Sequence, residues 1–316
     1  MMADIDAAIG ELLAGKPPSI PLTNYDIYRK PVENSKPTIL GYNAIIIVAA
    51  VILDEDGRVV MIQEAKESCR EKWYLPAGRL EREETLEMGV KREVKEEAGF
   101  DFQPTSIVKV ECSLLAGYWI RFTFIGTITG GSLKTQNEAD SESLQAKWCS
   151  MMDIANLRLR SRDILPVIEL ARVYQQNSAT ERHPALMPVL HPHKHMCMRI
   201  VMVRQRQNSF DVLMSTEGSL HFPVIRDGWQ AEDSLHRLEK EVFKGRNTYG
   251  PQYIVCVEHC GTPHGEADGV CLDLLVIAEV DRELNNPKYA WQAITSNDLK
   301  RQLVSRTRSG MSVLCP

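Results

Sequence analysis

Residues 78–100, GRLEREETLEMGVKREVKEEAGF, constrain the fold more than any other stretch of this 316-residue chain. Residues 85–98 carry a helical pattern. At about 100° per residue, with Glu93 taken as the origin, Glu97 falls at about 40° and Glu96 at about 300°. Three carboxylates therefore share one face. Leu86, Val90, Val94 and Ala98 form an apolar stripe beside it, from about 20° to about 140°. That stripe has to be buried against a sheet, which leaves the acidic face at the sheet's edge. Like charges at i,i+3 and i,i+4 weaken a helix, so the pattern is favourable only with a cation between them. Clustered carboxylates are hard oxygen ligands suited to Mg²⁺ or Mn²⁺. Such ions also hold phosphate oxygens, which makes a phosphoanhydride the natural substrate. A solvated acidic face is the plain alternative, and these three residues alone do not separate the two.

The chain is long enough for about two domains. Hydrophobic residues at 44% and charged residues at 25% allow a sizeable core. The formal net charge is −5 with no strongly basic half, which argues against duplex nucleic acid as a partner. Residues 1–16 are acidic and lack the apolar core of a signal peptide. The longest apolar run, 44–53, is too short to cross a bilayer, so no membrane partner is expected. Eight cysteines without regular spacing read as reduced thiols and a cytoplasmic setting. Cys256, Cys260 and Cys271 with His259 and His264 match no common zinc module.

Residues 3–14 read as a helix and 16–37 as an extended lead-in, with prolines at 17, 18, 21, 31 and 37. Residues 44–53 and 59–63 are β-rich, and Asp54-Glu55-Asp56-Gly57 between them predicts a hairpin. A strand end and loop at 73–78, strands at 107–112, 119–127 and 146–149, and a helix over 163–176 capped by Ser161 follow. The run His191-Pro192-His193-Lys194-His195 lies in a Pro/His-rich stretch. With two prolines nearby and no carboxylate or cysteine partner assigned to it, it reads as a linker and not a metal site. The second half then echoes the first. Phe222-Pro223 matches Leu75-Pro76, and 232–242 matches 84–94. Residues 254–257 match 107–110, and 270–277 match 119–125. Trp291 with Asp298-Leu299 matches Trp148 with Asp153-Ile154. An offset of about 145 residues is that of one fold repeated. The expected boundaries are 1–40 for the helix and lead-in, 41–178 for a first domain, 179–197 for a linker and 198–316 for a second domain.

Residues 78–100 also resemble the Nudix box: Gly, five residues, Glu, seven residues, then Arg-Glu-aliphatic-any-Glu-Glu-any-Gly and an aliphatic or aromatic residue. Gly78, Glu84, Arg92, Glu93, Val94, Glu96, Glu97, Gly99 and Phe100 fill every fixed position. The resemblance implies the α/β (α+β) Nudix fold, a mixed sheet sandwiched by helices, followed here by a degenerate Nudix-like repeat. It implies Mg²⁺, or Mn²⁺ in its place, held by Glu93, Glu96, Glu97 and the carbonyl near Gly78. Arg92 and Glu84 resemble the family's semi-buried pair that fixes the helix against its loop, and Gly99 ends the helix. One glutamate of the set, or one outside it, serves as base toward water; which one stays open.

The stretches IQEAKESCREKWYLPAGRLE, TGGSLKTQNEADSESLQAKW and RDILPVIELA resemble the 8-oxo-dGDP phosphatase branch of MutT-like Nudix enzymes. That likeness implies a small-molecule nucleotide substrate, with oxidised purine nucleoside diphosphates cut to monophosphate and phosphate in nucleotide-pool sanitation. Another nucleoside diphosphate derivative, such as ADP-ribose, is the alternative substrate. A nucleotide-binding regulator without turnover is the alternative of another class, and the intact glutamates argue against it. Arg79 is a candidate for phosphate contact; Lys66 reads as solvated surface. Trp73, Tyr74, Trp119, Phe122 and Phe124 form either a stacking wall or core. Asp163 stands where MutT-like enzymes carry a purine-contacting acid, although a first-turn helix charge explains it equally. In the second half Glu241 aligns with Glu93, Lys244 and Gly245 with Glu96 and Glu97, and Ile225 with Gly78. That half is expected to lack the metal site and to support the first domain, cover its site or mediate assembly. Homo-oligomerisation stays open.

Overall fold

The computed structural model describes residues 4–20, 22, 24–28, 36–113, 119–179, 181–206, 209–227, 230–243, 249–278 and 283–308. Pro21, Pro31, Lys244 and Gly245 lie outside these residues, as do the N-terminal residues 1–3. No described helix is long and apolar enough to cross a membrane.

The first half is built on β1 (Ile45–Val51), β2 (Val59–Glu64), β3 (Trp73–Tyr74), β4 (Ala77–Arg79), β5 (Phe100–Ser113), β6 (Trp119–Gly131) and β7 (Ser143–Cys149). One sheet has the order β4-β1-β6-β5, and β1 runs parallel to β6 at its centre. A second, three-stranded sheet has the order β3-β2-β7. The helix α1 (Ile5–Leu13) precedes all of these; α2 (Leu86–Ala98), α3 (Met151–Asn156) and α4 (Ile164–Gln176) complete the half.

Local chemistry sets the ends of α2. The Thr85 hydroxyl accepts from the Met88 amide at 3.1 Å, and Gly99 closes the helix at φ 83°, a left-handed conformation that glycine adopts without strain. Leu86, Val90, Val94 and Ala98 are all fully buried, as the stripe required. Both α2 and α4 pack on strands of the four-stranded sheet.

Residues 44–63 do not form a paired hairpin. The turn exists: Asp54 N donates to Arg58 O at 3.0 Å, and Leu53 bridges Val59. Beyond it the strands part, β1 to one sheet and β2 to the other. Both strands are buried on both faces, so each has a full sheet to join and the turn alone does not decide pairing.

The second half contains β8 (Cys197–Arg206), β9 (Ser209–Ser215), β10 (Val224–Arg226), α5 (Ala231–Val242), β11 (Tyr249–His259), β12 (Val270–Ala278), β13 (Tyr289–Ile294) and α6 (Asn297–Arg308). The order β10-β8-β12-β11, with β8 parallel to β12, reproduces β4-β1-β6-β5. The likeness reaches single hydrogen bonds. Ala50 N donates to Pro76 O, and Ile200 N donates to Pro223 O. Leu80 N donates to Ile46 O, and Asp227 N donates to Met196 O. The second half is thus a structural repeat of the first.

The helix α1 packs on the second half, where Ala8, Ile9 and Leu12 share a core with Leu299 and Leu303 of α6. Two features differ from the sequence reading. The stretch after α4 is no solvated tether: His183, His193 and His195 are buried, and Val189 bridges Glu258 on β11. Finally, α5 aligns with α2 three residues away from the sequence match. Its N-cap is Gln230 against Thr85, and Ala231, Ser234, Leu235, Leu238, Glu239 and Val242 repeat the burial of Leu86, Gly89, Val90, Glu93, Val94 and Glu97. Glu241 is exposed and does not stand in the place of Glu93. Helices with apolar residues every three or four positions match themselves after a three-residue slip, which is why sequence alone misplaced the register.

Candidate active site

The strand β4 and the helix α2 bring Gly78, Glu93 and Glu97 of the box together. Ala77 N donates to Glu97 Oε2 at 2.8 Å. Glu93 lies against Gly78 so closely that a Cβ at residue 78 would overlap its carboxylate. Only glycine leaves this space. Glu93 is 5% exposed and Glu97 1%, while Glu96 is exposed at the rim. Burial pushes both inner carboxyls up; Arg92 opposes the rise at Glu93, and the Ala77 amide opposes it at Glu97. The neighbouring carboxylates Glu93 and Glu64 add to the rise at Glu97.

Arg92 organises the rim. Its Nε and Nη2 donate to Glu84 at 2.7 and 2.9 Å. Its Nη1 donates to Glu93 Oε1 at 2.8 Å and to Glu96 Oε2 at 3.1 Å, and Nη2 also donates to Arg79 O at 3.1 Å. Burial works against a charged Glu84, yet Arg92 and the Glu81 amide hold its carboxyl below the usual range. One guanidinium therefore ties the helix, the box loop and the strand end.

Sequence reasoning missed Glu64. It sits at the inward phase of β2, 1% exposed, where Arg160 Nη1 donates to its Oε1 at 2.7 Å. Its Oε2 has no hydrogen-bond partner among the described residues. The available signal was a charged residue in phase with Val60 and Ile62 in an otherwise apolar strand. Lys66 is half exposed, in ion-pair range of Glu142 at 3.7 Å, and its charge favours ionised Glu93 and Glu97.

From Glu64 a polar line runs across the half. The Arg160 guanidinium lies 5.0 Å over the Tyr74 ring. Tyr74 Oη donates to Asp163 Oδ2 at 2.9 Å and accepts from Arg121 Nη1. Arg121 also pairs with Asp163 at 2.8 Å and with Glu111 at 2.7 Å. Despite burial, Ser161, Arg121 and Tyr74 keep the Asp163 carboxyl below the usual range. Asp163 is thus a partner in a tertiary network and not merely a first-turn helix charge.

The aromatic wall divides differently from either expectation. Phe122 and Phe124 are fully enclosed and pack in the core of the first half. Trp73 and Tyr74 are nearly enclosed. The open ring beside the box is Tyr42, 70% exposed, in a cavity of about 420 Å³ that Arg79 and Leu80 also line. Tyr42 sits in a loop without periodicity and gave no signal.

Among the described residues, the second half has no counterpart of the Glu93 and Glu97 pair. Ile225 stands in the register of Gly78, paired with Met198 as Gly78 is with Val48. Leu238 and Val242 occupy the phases of Glu93 and Glu97. Instead the second half touches the box loop: a Cβ on Gly261 would overlap the Glu84 carbonyl oxygen, and Thr262 Oγ1 donates to Glu83 O at 3.4 Å.

Residues 45–168 match the family model described as NUDIX domain. The Homo sapiens 8-oxo-dGDP phosphatase NUDT18 is 35% identical over 307 residues, covering 89% of this chain and 90% of that protein. The Danio rerio protein of the same name is 34% identical over 297 residues, covering 88% and 89%. A solved NUDIX hydrolase from Nitrosomonas europaea aligns at 27% identity, covering 41% of this chain and 89% of that one, with a TM-score of 0.37.

Proposed function

The chain belongs to the Nudix hydrolase family, and on that premise we propose that it hydrolyses oxidised purine nucleoside diphosphates such as 8-oxo-dGDP to the monophosphate and phosphate. The observation that carries this reading is the pair Glu93 and Glu97: two buried carboxylates held at the end of β4, Glu93 against Gly78 and Glu97 by the Ala77 amide. Such a pair is costly without a cation, and its donors, carboxylate and carbonyl oxygens, suit Mg²⁺ or Mn²⁺. Glu93, Glu97 and the Gly78 carbonyl would hold the ion, with Glu96 at the rim. When bound, a divalent cation neutralises charge on phosphate oxygens and acidifies nearby water.

The chain's own residues do the rest. Arg92, pinned by Glu84, sets the side chains of Glu93 and Glu96. Arg79, which lines the cavity beside Tyr42, would meet the phosphates, and Lys66 adds positive charge near Glu93 and Glu97. Water forms a bond to phosphorus, the bridging oxygen leaves with its electron pair, and a proton is released. Holding the diphosphate in line supplies much of the rate. In this reading the nucleoside would extend from the box along the line from Glu64 through Arg160 and Tyr74 to Asp163. There the ionised Asp163 can accept from the N–H groups of a guanine edge. The second half supports the box loop through Gly261 and Thr262. The described cysteines are all unpaired, which supports a reducing, cytoplasmic setting.

Relative kcat/KM with Mg²⁺ tests the substrate. The reading expects 8-oxo-dGDP to exceed dGDP and ADP-ribose by about tenfold or more; equal rates, or a preference for ADP-ribose, would refute it.

Metal dependence has a pH signature. Burial lets metal-free Glu93 and Glu97 keep protons that the unfolded chain releases near a pKa of about 4.3. The folded state then binds more protons, so this contribution to stability falls as pH rises. Cation binding needs both carboxylates ionised. The Tm gain on adding Mg²⁺ should therefore be larger at about pH 8 than at about pH 5.5. At about 100 times Kd the ligand adds about 2.7 kcal/mol, several degrees by calorimetry. Equal gains at both values would contradict the assignment.

A further inference from the structure

Residues 189–195 form a strap laid along the end of β11. Val189 N donates to Val257 O at 2.8 Å, His259 N to Val189 O at 3.0 Å, and Gly269 N to His193 O at 2.8 Å. Gly269 has no Cβ where one would overlap the carbonyl oxygens of His193 and His195. The strap carries histidines that have no acidic partner nearby in sequence. The fold supplies one, Glu258.

His193 Nε2 lies 2.8 Å from Glu258 Oε2, and both side chains are buried. The ring of His191, which is exposed, has its centroid 5.0 Å from that of His193. Donor atoms of His191, His193 and Glu258 all lie within 4.8 Å of one another. Ligand bonds of about 2.0–2.2 Å in a tetrahedral site place donors about 3.3 Å apart. His193 and Glu258 already stand near that separation, and His191 is free to swing the remaining distance from the solvent side.

The surroundings favour a cation. Arg199 Nη1 donates to Glu258 Oε1 at 3.0 Å and to Asp273 Oδ1 at 2.6 Å. Arg199 thus fixes Glu258 from behind and leaves Oε2 facing the imidazoles, as an outer partner fixes a metal ligand. Arg199 is shared with the buried Asp273, whose carboxyl burial pushes up to about 7, so Glu258 is the carboxylate that the guanidinium and the imidazoles address. Two imidazoles and one carboxylate suit Zn²⁺ and similar ions and not Mg²⁺, which separates this site from the box.

We propose that His191, His193 and Glu258 form a site for an imidazole-preferring divalent cation such as Zn²⁺, pinning the strap to β11. The strap's upstream end joins the first half, where Ile107 N donates to Leu186 O at 2.7 Å. The downstream end of β11 leads to the loop at Gly261 that meets Glu84. The ion would thus brace the join between the halves.

The test is calorimetric titration of Zn²⁺ into chelator-treated full-length protein with excess Mg²⁺ present, with Tm read in parallel. The expected result is one equivalent of Zn²⁺ bound and a raised Tm. His191→Ala, at an exposed position, should keep the fold and weaken binding by at least about tenfold; His193→Gln should do the same or more. Zn²⁺ binding unchanged in His191→Ala would overturn the proposal. So would the absence of any Zn²⁺-dependent rise in Tm, which would leave a proton on His193 as the only occupant.

Discussion

Glu97→Gln should yield a folded protein whose hydrolysis of 8-oxo-dGDP is slower by about a thousandfold in kcat. The substitution keeps size and shape, and the amide oxygen still accepts from Ala77 N, whose bond to Glu97 is 2.8 Å in the native chain. What it removes is one of two buried negative charges. Stability should move the other way. Burial pushes the Glu97 carboxyl well up, so ionising it in the metal-free fold is unfavourable, and the neutral amide relieves that cost. In chelator at neutral pH the variant should melt above the native chain, and Mg²⁺ should raise its Tm less. A site shaped for function at the expense of stability behaves in this way. Calorimetric scans with steady-state assays check both signs; native turnover in the variant would remove Glu97 from the site.

Gly261→Ala should lower kcat by about 10- to 100-fold although residue 261 lies in the second half, far along the chain from the box. At φ 78° any side chain is strained, and the new Cβ would overlap the carbonyl oxygen of Glu84. Glu84 anchors Arg92 through two hydrogen bonds, and Arg92 holds Glu93 and Glu96. A shift of the loop therefore passes directly to the carboxylates. Gly265→Ala is the control. Gly265 has φ 80° but nothing within 4 Å of its added Cβ, so it carries the strain of about 1–3 kcal/mol without the contact. Activity retained in Gly265→Ala and lost in Gly261→Ala assigns the effect to the box loop. Equal losses, or none, would end the view that the second half supports the site.

Legibility from sequence followed the range of the interactions. The box was readable because its carboxylates, its cap and its terminating glycine all lie on one helix and one loop, where spacing fixes geometry. The repeat was readable because each half buries the same faces, although the α5 register was not, since a helix resembles itself after three residues. The separation of β1 from β2 was hidden because a good turn is local while sheet membership is not. Glu64, Arg160, Tyr74, Arg121 and Asp163 meet only through tertiary packing, and no period links them. The same holds for His193, whose partner Glu258 is 65 residues away, and for α1, whose apolar face has no address in sequence.

The most direct measurement is phosphate release from 8-oxo-dGDP by the full-length protein, with Mg²⁺ and with chelator, beside Glu97→Gln. Equimolar monophosphate and phosphate are expected with Mg²⁺, and negligible product in chelator or from the variant. No release with Mg²⁺, or release that neither chelator nor Glu97→Gln reduces, would contradict the proposed reaction.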